Sequence, residues 1–346
     1  MEHVKGISRR NKMKRVLLAV IVGVVLLSMS ALIVSGAPIK IGICQIVEHP
    51  ALDAVRQGVI DSLTAAGYVE GTDVTYLLAN AQGDMGTALS IAQDFKAQSV
   101  DLVVAIATPT AQAAAQVFMG SDTPIIYAAV TDPVAAGLVL NAKDPSGNGN
   151  VTGTSDLIPV ASDIALLKEL SPQIKKIGMV YNPGEANSVV LTDLAVAAAR
   201  DLGVTIIKAV ADTTANVPVA AQSLIGRIDA FYVTTDNTVV SAIASVIGAA
   251  EEGGIPFLVA DPTSIGSGVT LATGFDYYQH GLLTGSVVQQ ILQGKKPNEI
   301  PVTYQSKTLV VLDLDAAAKI DLTFPQSVID MASKVFYGGA VWERAK

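Results

Sequence analysis

The sequence predicts an α/β protein of two lobes, each built on a doubly wound parallel sheet. Three observations lead there. Strand-like and helix-like segments alternate from Ile39 almost to the end of the chain. The strand-like segments are apolar throughout, as strands covered on both faces are. The alternation is also interrupted once, by the turn-rich NAKDPSGNGNVTG at 141–153, and then restarts. A chain of 346 residues accommodates two domains.

The elements follow in order. IKIGICQI (39–46) reads as the first strand. In the helix over 50–67, Leu52, Val55, Val59, Ile60 and Leu63 share one face, and Gly67 ends it. DVTYLLAN (73–80) is a strand, and 85–98 a helix with Leu89, Ala92 and Phe95 inward. VDLVVAIAT (100–108) is a buried strand, followed by a helix over 111–118 and the strand TPIIYAAV (123–130). After the turn-rich segment come a helix (161–172), a strand (175–182), a helix (186–203) and a strand (204–211). Helical 217–227, strand 229–236, helix 238–254 and strand 255–261 continue the series. A strand over 268–277 leads to a long helix over 278–295, and TLVVLDLDAAAKI (308–320) closes with a strand and a short helix.

Hydrophobic residues make up 50 % of the chain and charged residues 16 %, with a mean hydropathy of +0.46. Part of this excess sits at the N-terminus. Residues 1–15 hold six basic groups and one acid, and 16–37 are uncharged. A basic segment, an apolar run and small residues at Ser35-Gly36-Ala37 read as an export signal. The run is also long enough for an uncleaved membrane anchor, which needs about 20 apolar residues. Without the +5 of residues 1–15, the chain's net charge of −8 becomes −13. An acidic body without basic runs excludes nucleic acid as an expected partner. Cys44 is the single cysteine, so no intramolecular disulfide forms, and it reads as a small buried strand residue.

Several apolar runs end in Thr, Asp and Pro: Thr108-Pro109, Thr131-Asp132, Thr235-Asp236-Asn237 and Asp261-Pro262. In parallel α/β sheets, ligands bind outside the carboxyl ends of the strands. Pro109 suits a first helical turn, whose free N–H groups and dipole favour an anion. Thr108 or Thr110 adds a hydroxyl donor, while Asp236 or Asp261 on the other lobe offers a carboxylate to an ammonium. Facing lobes of this kind suit a zwitterion. Each of these residues also has the simpler use of capping the helix that follows.

The series QIVEHPALDAVRQGVIDSL, AAGYVEG, NAQGD, DLVVAIATPTAQAAA, VTDPVAAGLV, GNVTGTSD, YNPGEANS, TTDNTV and GFDYYQHG resembles the ABC-transporter substrate-binding proteins of the tryptophan/tyrosine-type family, in order from about Ile39 to Leu322. The resemblance implies a type I periplasmic-binding-protein fold with three hinge crossovers. It implies capture of a small ligand, an aromatic amino acid favoured, for an ABC permease. It divides the chain into 1–37 as signal or anchor, 38–151 plus 276–304 as the N-terminal lobe, and 152–275 plus 305–346 as the C-terminal lobe. It places at the cleft Gln45, Glu48, His49, Thr108, Thr110, Thr131, Asp132, Ser155, Asp156, Asn182, Glu185, Asn187, Ser188, Asp236, Asn237, Asp261 and Asp276. His49 also reads as a helix-start residue before Pro50, and Glu185 and Asn187 as parts of a solvated turn. Tyr127, Tyr181, Phe231, Tyr232 and Tyr277 are candidates for a side-chain pocket. Many family members are lipoproteins, but Cys44 follows PIKIGI rather than the apolar run and so is not a lipid attachment point.

Only three histidines are present, no two at metal-ligand spacing, and no nucleophile elbow or phosphate-binding glycine loop occurs. The expectation is therefore a binding protein without cofactor or metal, periplasmic or at the cell surface. The alternative is a membrane-tethered ectodomain that senses a ligand and signals through a partner without transport.

Overall fold

Leu102–Ile106 is buried at all five positions, and Ile125–Val130 at all six. Such strands need helices on both faces, and the connections supply them. The computed structural model describes residues 37–343; the N-terminal signal or anchor lies outside the described residues.

The first series comprises β1 (Ile39–Gln45), α1 (Pro50–Ala65), β2 (Val74–Asn80), α2 (Met85–Ala97), β3 (Leu102–Ile106), α3 (Thr108–Phe118), β4 (Ile125–Val130) and β5 (Val151–Ser155). The second comprises α4 (Val160–Leu170), β6 (Lys176–Tyr181), α5 (Ala186–Asp201), β7 (Thr205–Val210), α6 (Val217–Gln222), β8 (Ala230–Val233), α7 (Asn237–Ser241), α8 (Ile243–Gly253), β9 (Phe257–Val259) and β10 (Leu271–Phe275). The chain then runs through α9 (Tyr277–Leu292), β11 (Thr303–Tyr304), β12 (Thr308–Asp313), α10 (Leu314–Lys319), α11 (Gln326–Met331), β13 (Lys334–Tyr337) and β14 (Ala340–Glu343).

One sheet has the order β11-β5-β4-β3-β1-β2, with every pair parallel. The other has the order β14-β13-β12-β10-β9-β8-β6-β7. It is parallel from β7 to β10, whereas β12 and β14 join antiparallel to their neighbours β10 and β13. In each sheet the opening strand, β1 or β6, has its successors on opposite sides. This is a topological switch point, where a crevice opens at the carboxyl ends of the strands.

The chain crosses between the sheets three times, through residues 156–159, 276 and 305–307. The sequence division at 151/152 cuts off β5, which pairs with β4 in the first sheet, so the first crossing follows Ser155. The reason is local. Val151–Ser155 is buried at every position, but it follows directly on a Gly/Asn/Pro-rich turn and reads as part of it. Helix α3 starts at Thr108 rather than 111, with Pro109 in its first turn. The stretch 238–254 is two helices, broken at Ala242.

After the second crossing, α9 returns to the first lobe and packs on α1. A Cβ at Gly58 would lie 2.4 Å from the Tyr278 carbonyl oxygen and 2.8 Å from the Gly281 Cα. Only glycine permits helix backbones to approach so closely. Tyr277, Val287 and Val288 thereby join the core formed with Val55, Val59 and Leu63 of α1.

Candidate functional site

The carboxyl ends of the two sheets face each other across a small cavity. The first lobe contributes His49, Ala51 and Leu52 at the start of α1, Ala107 and Thr108 at the β3–α3 junction, and Ala129 and Thr131 at the end of β4. The second lobe contributes Asn187 of α5, Thr235, Asn237 and Val240 around the start of α7, and Asp261 after β9. Asp156, in the first crossing, and Tyr277, at the start of α9 directly after the second, complete the wall.

Two wall residues hold unusual backbone. Ala107 has φ +80° and Ala129 φ +51°, although neither is glycine. Conformations of this kind cost on the order of 1–3 kcal/mol and cluster at ligand clamps. At Ala107 the turn delivers an α3 N-terminus that no side chain caps. Its first-turn N–H groups are available to an anion.

The polar atoms of the wall are the informative ones. Among the described residues, eight buried side-chain oxygens lack a hydrogen-bond partner. Four belong to the cavity wall: Thr108 Oγ1 and Asp156 Oδ1 on one side, and Asn187 Oδ1 and Thr235 Oγ1 on the other. A buried polar group left unpaired costs about 1–3 kcal/mol. Their collection around one cavity marks it as a place where a polar guest completes the bonding. Tyr277 donates its hydroxyl to Asp156 Oδ2 at 3.2 Å, which leaves Oδ1 as the free oxygen. Burial pushes the Asp156 carboxyl up to about 6, against the lowering effect of that hydrogen bond. Burial, followed by the charges of Asp156 and Asp261, raises the Tyr277 hydroxyl well above its ordinary value.

The lobes also touch directly here. His49 Nε2 stands 3.5 Å from Asp261 Oδ2. His49 caps α1 as well, accepting the Ala51 N–H at Nδ1.

Of the residues anticipated from sequence, His49, Thr108, Thr131, Asp156, Asn187, Asn237 and Asp261 line this cavity. The others do not. Gln45 is spent on Asp53, Arg56 and the Val47 carbonyl, and Glu48 is exposed on its loop. The Thr110 hydroxyl donates back to the Ile106 and Ala107 carbonyls. Asp132 caps its own turn at Val134 and Ala135, and Ser155 donates to the Thr131 carbonyl. Asp276 caps α9 at the Gln279 N–H.

Asp236 is fully buried and accepts three bonds, from the Asn182 N–H, the Ser188 hydroxyl and the Val239 N–H. Burial, and then the charge of Glu185, lift its carboxyl to about 7. Glu185 accepts from Asn187 Nδ2, Asn237 and Thr238, and Asn182 Nδ2 donates to Thr238. This cluster does not line the cavity. It fixes the starts of α5 and α7, which carry Asn187 and Asn237 to the cavity.

Sequence reasoning did not select Ala51, Leu52, Ala107, Ala129 and Val240, which look like any core residue. Thr235 was visible as part of a strand end. Of the aromatic candidates, Tyr277 lines the cavity. Tyr127, Phe231 and Tyr232 are fully buried core, and Tyr181 lies against Lys208. Among the described residues, no group of three or more His, Cys, Asp or Glu is placed to hold a metal.

Comparison with known proteins places this geometry. A "Tyrosine-binding protein" of Clostridioides difficile is 39 % identical over 283 residues, covering 82 % of this chain and 81 % of the relative. The crystal structure of an ABC domain in complex with L-Trp, from Streptococcus pneumonia, has a TM-score of 0.82 at 32 % identity, covering 86 % of this chain and 100 % of that one. The ligand-free, open structure of a substrate-binding protein with adhesive properties, from Clostridium difficile, has a TM-score of only 0.64 at 38 % identity, covering 83 % and 96 %. More distant solute-binding proteins share the type I periplasmic-binding-protein fold alone. With the ABC transporter substrate binding protein profile matching residues 40–336, the chain belongs to that family.

Proposed function

We propose that the interlobe cavity captures an α-amino acid, with an aromatic side chain favoured, and that the protein delivers it to an ABC permease. The observation that carries this reading is the set of four unpartnered buried oxygens contributed by both lobes and the first crossing. Asp156 Oδ1 and Asn187 Oδ1 are acceptors for an ammonium. The hydroxyls of Thr108 and Thr235, with the uncapped α3 N-terminus, are donors for a carboxylate. Leu52, Val240 and the three alanines offer an apolar surface beside them, and Tyr277 a ring. The names of the tyrosine- and tryptophan-binding relatives support the aromatic preference.

The family is extracytoplasmic, and its members are solute-binding proteins. We read this chain as a binding protein rather than an enzyme, exported by the N-terminal segment that lies outside the described residues. Among the described residues, no helix is long and apolar enough to cross a membrane.

Calorimetry with the twenty amino acids tests the reading. L-Tyr or L-Trp should bind. Tyramine, which lacks the carboxylate, and 3-(4-hydroxyphenyl)propionate, which lacks the ammonium, should bind about 10- to 100-fold more weakly, as expected for one lost charge-assisted bond of about 1.5–3 kcal/mol. Equal binding of the truncated compounds would overturn the zwitterion site.

A further inference from the structure

One buried imidazole ties the cavity wall to the chain crossings. His280, in the first turn of α9, is wholly inaccessible to solvent. Its Nε2 accepts the N–H of Ala129 at 3.1 Å. A backbone N–H can only donate, so Nε2 carries the lone pair and Nδ1 the proton. Nδ1–H therefore donates to Gln305 Oε1 at 3.0 Å, in the third crossing. Gln305 Nε2 donates in turn to the carbonyl oxygen of Asp276 at 3.2 Å, in the second crossing. A carbonyl can only accept, so backbone groups fix the direction of the relay at both ends. The Thr154 hydroxyl, just ahead of the first crossing, lies 2.9 Å from the same Nε2. Burial holds the imidazole down to about 4, so it is neutral near pH 7.

The two ends of the relay have different roles. Ala129 is a cavity-wall residue in a positive-φ conformation. Gln305 is anchored through both amide atoms across two of the three crossings. Hinge motion between domains is absorbed by dihedral changes in a few connecting residues, so rotation of the lobes acts directly on these bonds.

We propose that His280 and Gln305 are positioning residues that couple the Ala129 wall of the cavity to the interlobe crossings and hold the lobes in the relation that brings their facing ends together around the cavity. The coupling to ligand rests on the reading of the cavity as the amino-acid site.

Gln305 is only partly buried, so Gln305→Met removes both amide bonds without opening the core. The probes are L-Tyr and L-Trp. The variant should melt within a few degrees of the wild type yet release its probe about five-fold faster or more, a typical coupling between sites. Hydrogen exchange at the Ala129 amide should rise in the ligand-free variant, while the β8 amides of the second lobe stay unchanged. An unchanged release rate overturns the proposal, whether or not Ala129 exchange changes. If the wild type binds neither probe, the amino-acid reading fails separately, and the ligand-free scattering radius decides the hinge role. A larger radius in Gln305→Met supports that role, and an equal radius overturns it.

Discussion

His49 and Asp261 meet across the two lobes, Nε2 to Oδ2 at 3.5 Å. The His49 Nδ1 is already occupied by the Ala51 N–H, so in the neutral ring Nε2 carries the proton toward the carboxylate. Asp261 is held from behind by the Thr263 N–H and by the hydroxyls of Thr263 and Ser264. The contact thus joins two side chains that are each fixed within their own lobe. His49→Ala should lose the helix cap, worth about 1 kcal/mol, and the melting temperature should drop by about 2–4 °C. It should also speed ligand release about five-fold, as expected for a mostly buried interlobe contact worth about 1 kcal/mol. Stopped-flow dissociation checks this, and an unchanged off-rate would make the pair incidental to closure.

Thr108 and Thr110 stand two residues apart and have opposite roles. The Thr108 hydroxyl is buried, unpartnered and at the cavity, while that of Thr110 is spent on backbone carbonyls. Thr108→Val should weaken binding about 10- to 100-fold, the cost of one hydrogen bond to a charged group, and should leave the ligand-free protein as stable as before or slightly more so. Thr110→Val should leave affinity within about two-fold while costing about 0.5–1.5 kcal/mol of stability. Calorimetry and urea unfolding on both variants separate the two roles, and a reversed pattern would refute them.

Asp156→Asn should also split binding from stability. The carboxyl is raised to about 6 because burial penalises its charge, so at pH 8, where it is ionised, it lowers the stability of the ligand-free protein. The amide removes this penalty, and the ligand-free melting temperature at pH 8 should hold or rise. Without the negative charge, an ammonium loses its counter-charge, and affinity should fall about 10-fold or more. A variant that binds as tightly as wild type would move the ammonium site away from Asp156.

Asp236 sets a pH test. Its carboxyl is raised to about 7, first by burial and then by Glu185. Between the ordinary carboxylate range and about 7, the folded state therefore holds a proton that the unfolded state has lost. Stability from this group consequently falls as pH rises through that window. Asp236→Asn should be destabilised at every pH, because three donors face this carboxylate. Its deficit relative to wild type should nevertheless shrink between about pH 5 and 8. Thermal melts across that range check the sign, and a growing deficit would show a carboxylate stabilised by its donors.

The α/β alternation, the two series and the strand ends at Thr108, Thr131 and Asp261 were legible in the sequence. Strand burial writes apolar runs, and a parallel sheet puts all its carboxyl ends on one edge. The direction of each side chain at those ends was not legible. Thr108 and Thr110, or Thr235 and Asp236, differ by one or two positions in identical composition, and a turn's dihedrals send one to the cavity and its neighbour into the lobe. Nor did the sequence distinguish Ala107, Ala129 and Val240 from core residues, because an apolar cavity wall and an apolar core have the same composition. Strand β5 was hidden by the turn-rich stretch before it, and only its pairing with β4 and β11 assigns it to the first sheet. The His280 relay belongs wholly to tertiary structure. It joins residues 151 and 25 positions apart, and nothing local to His280 or Gln305 encodes a partner that arrives only when the chain has crossed between the lobes.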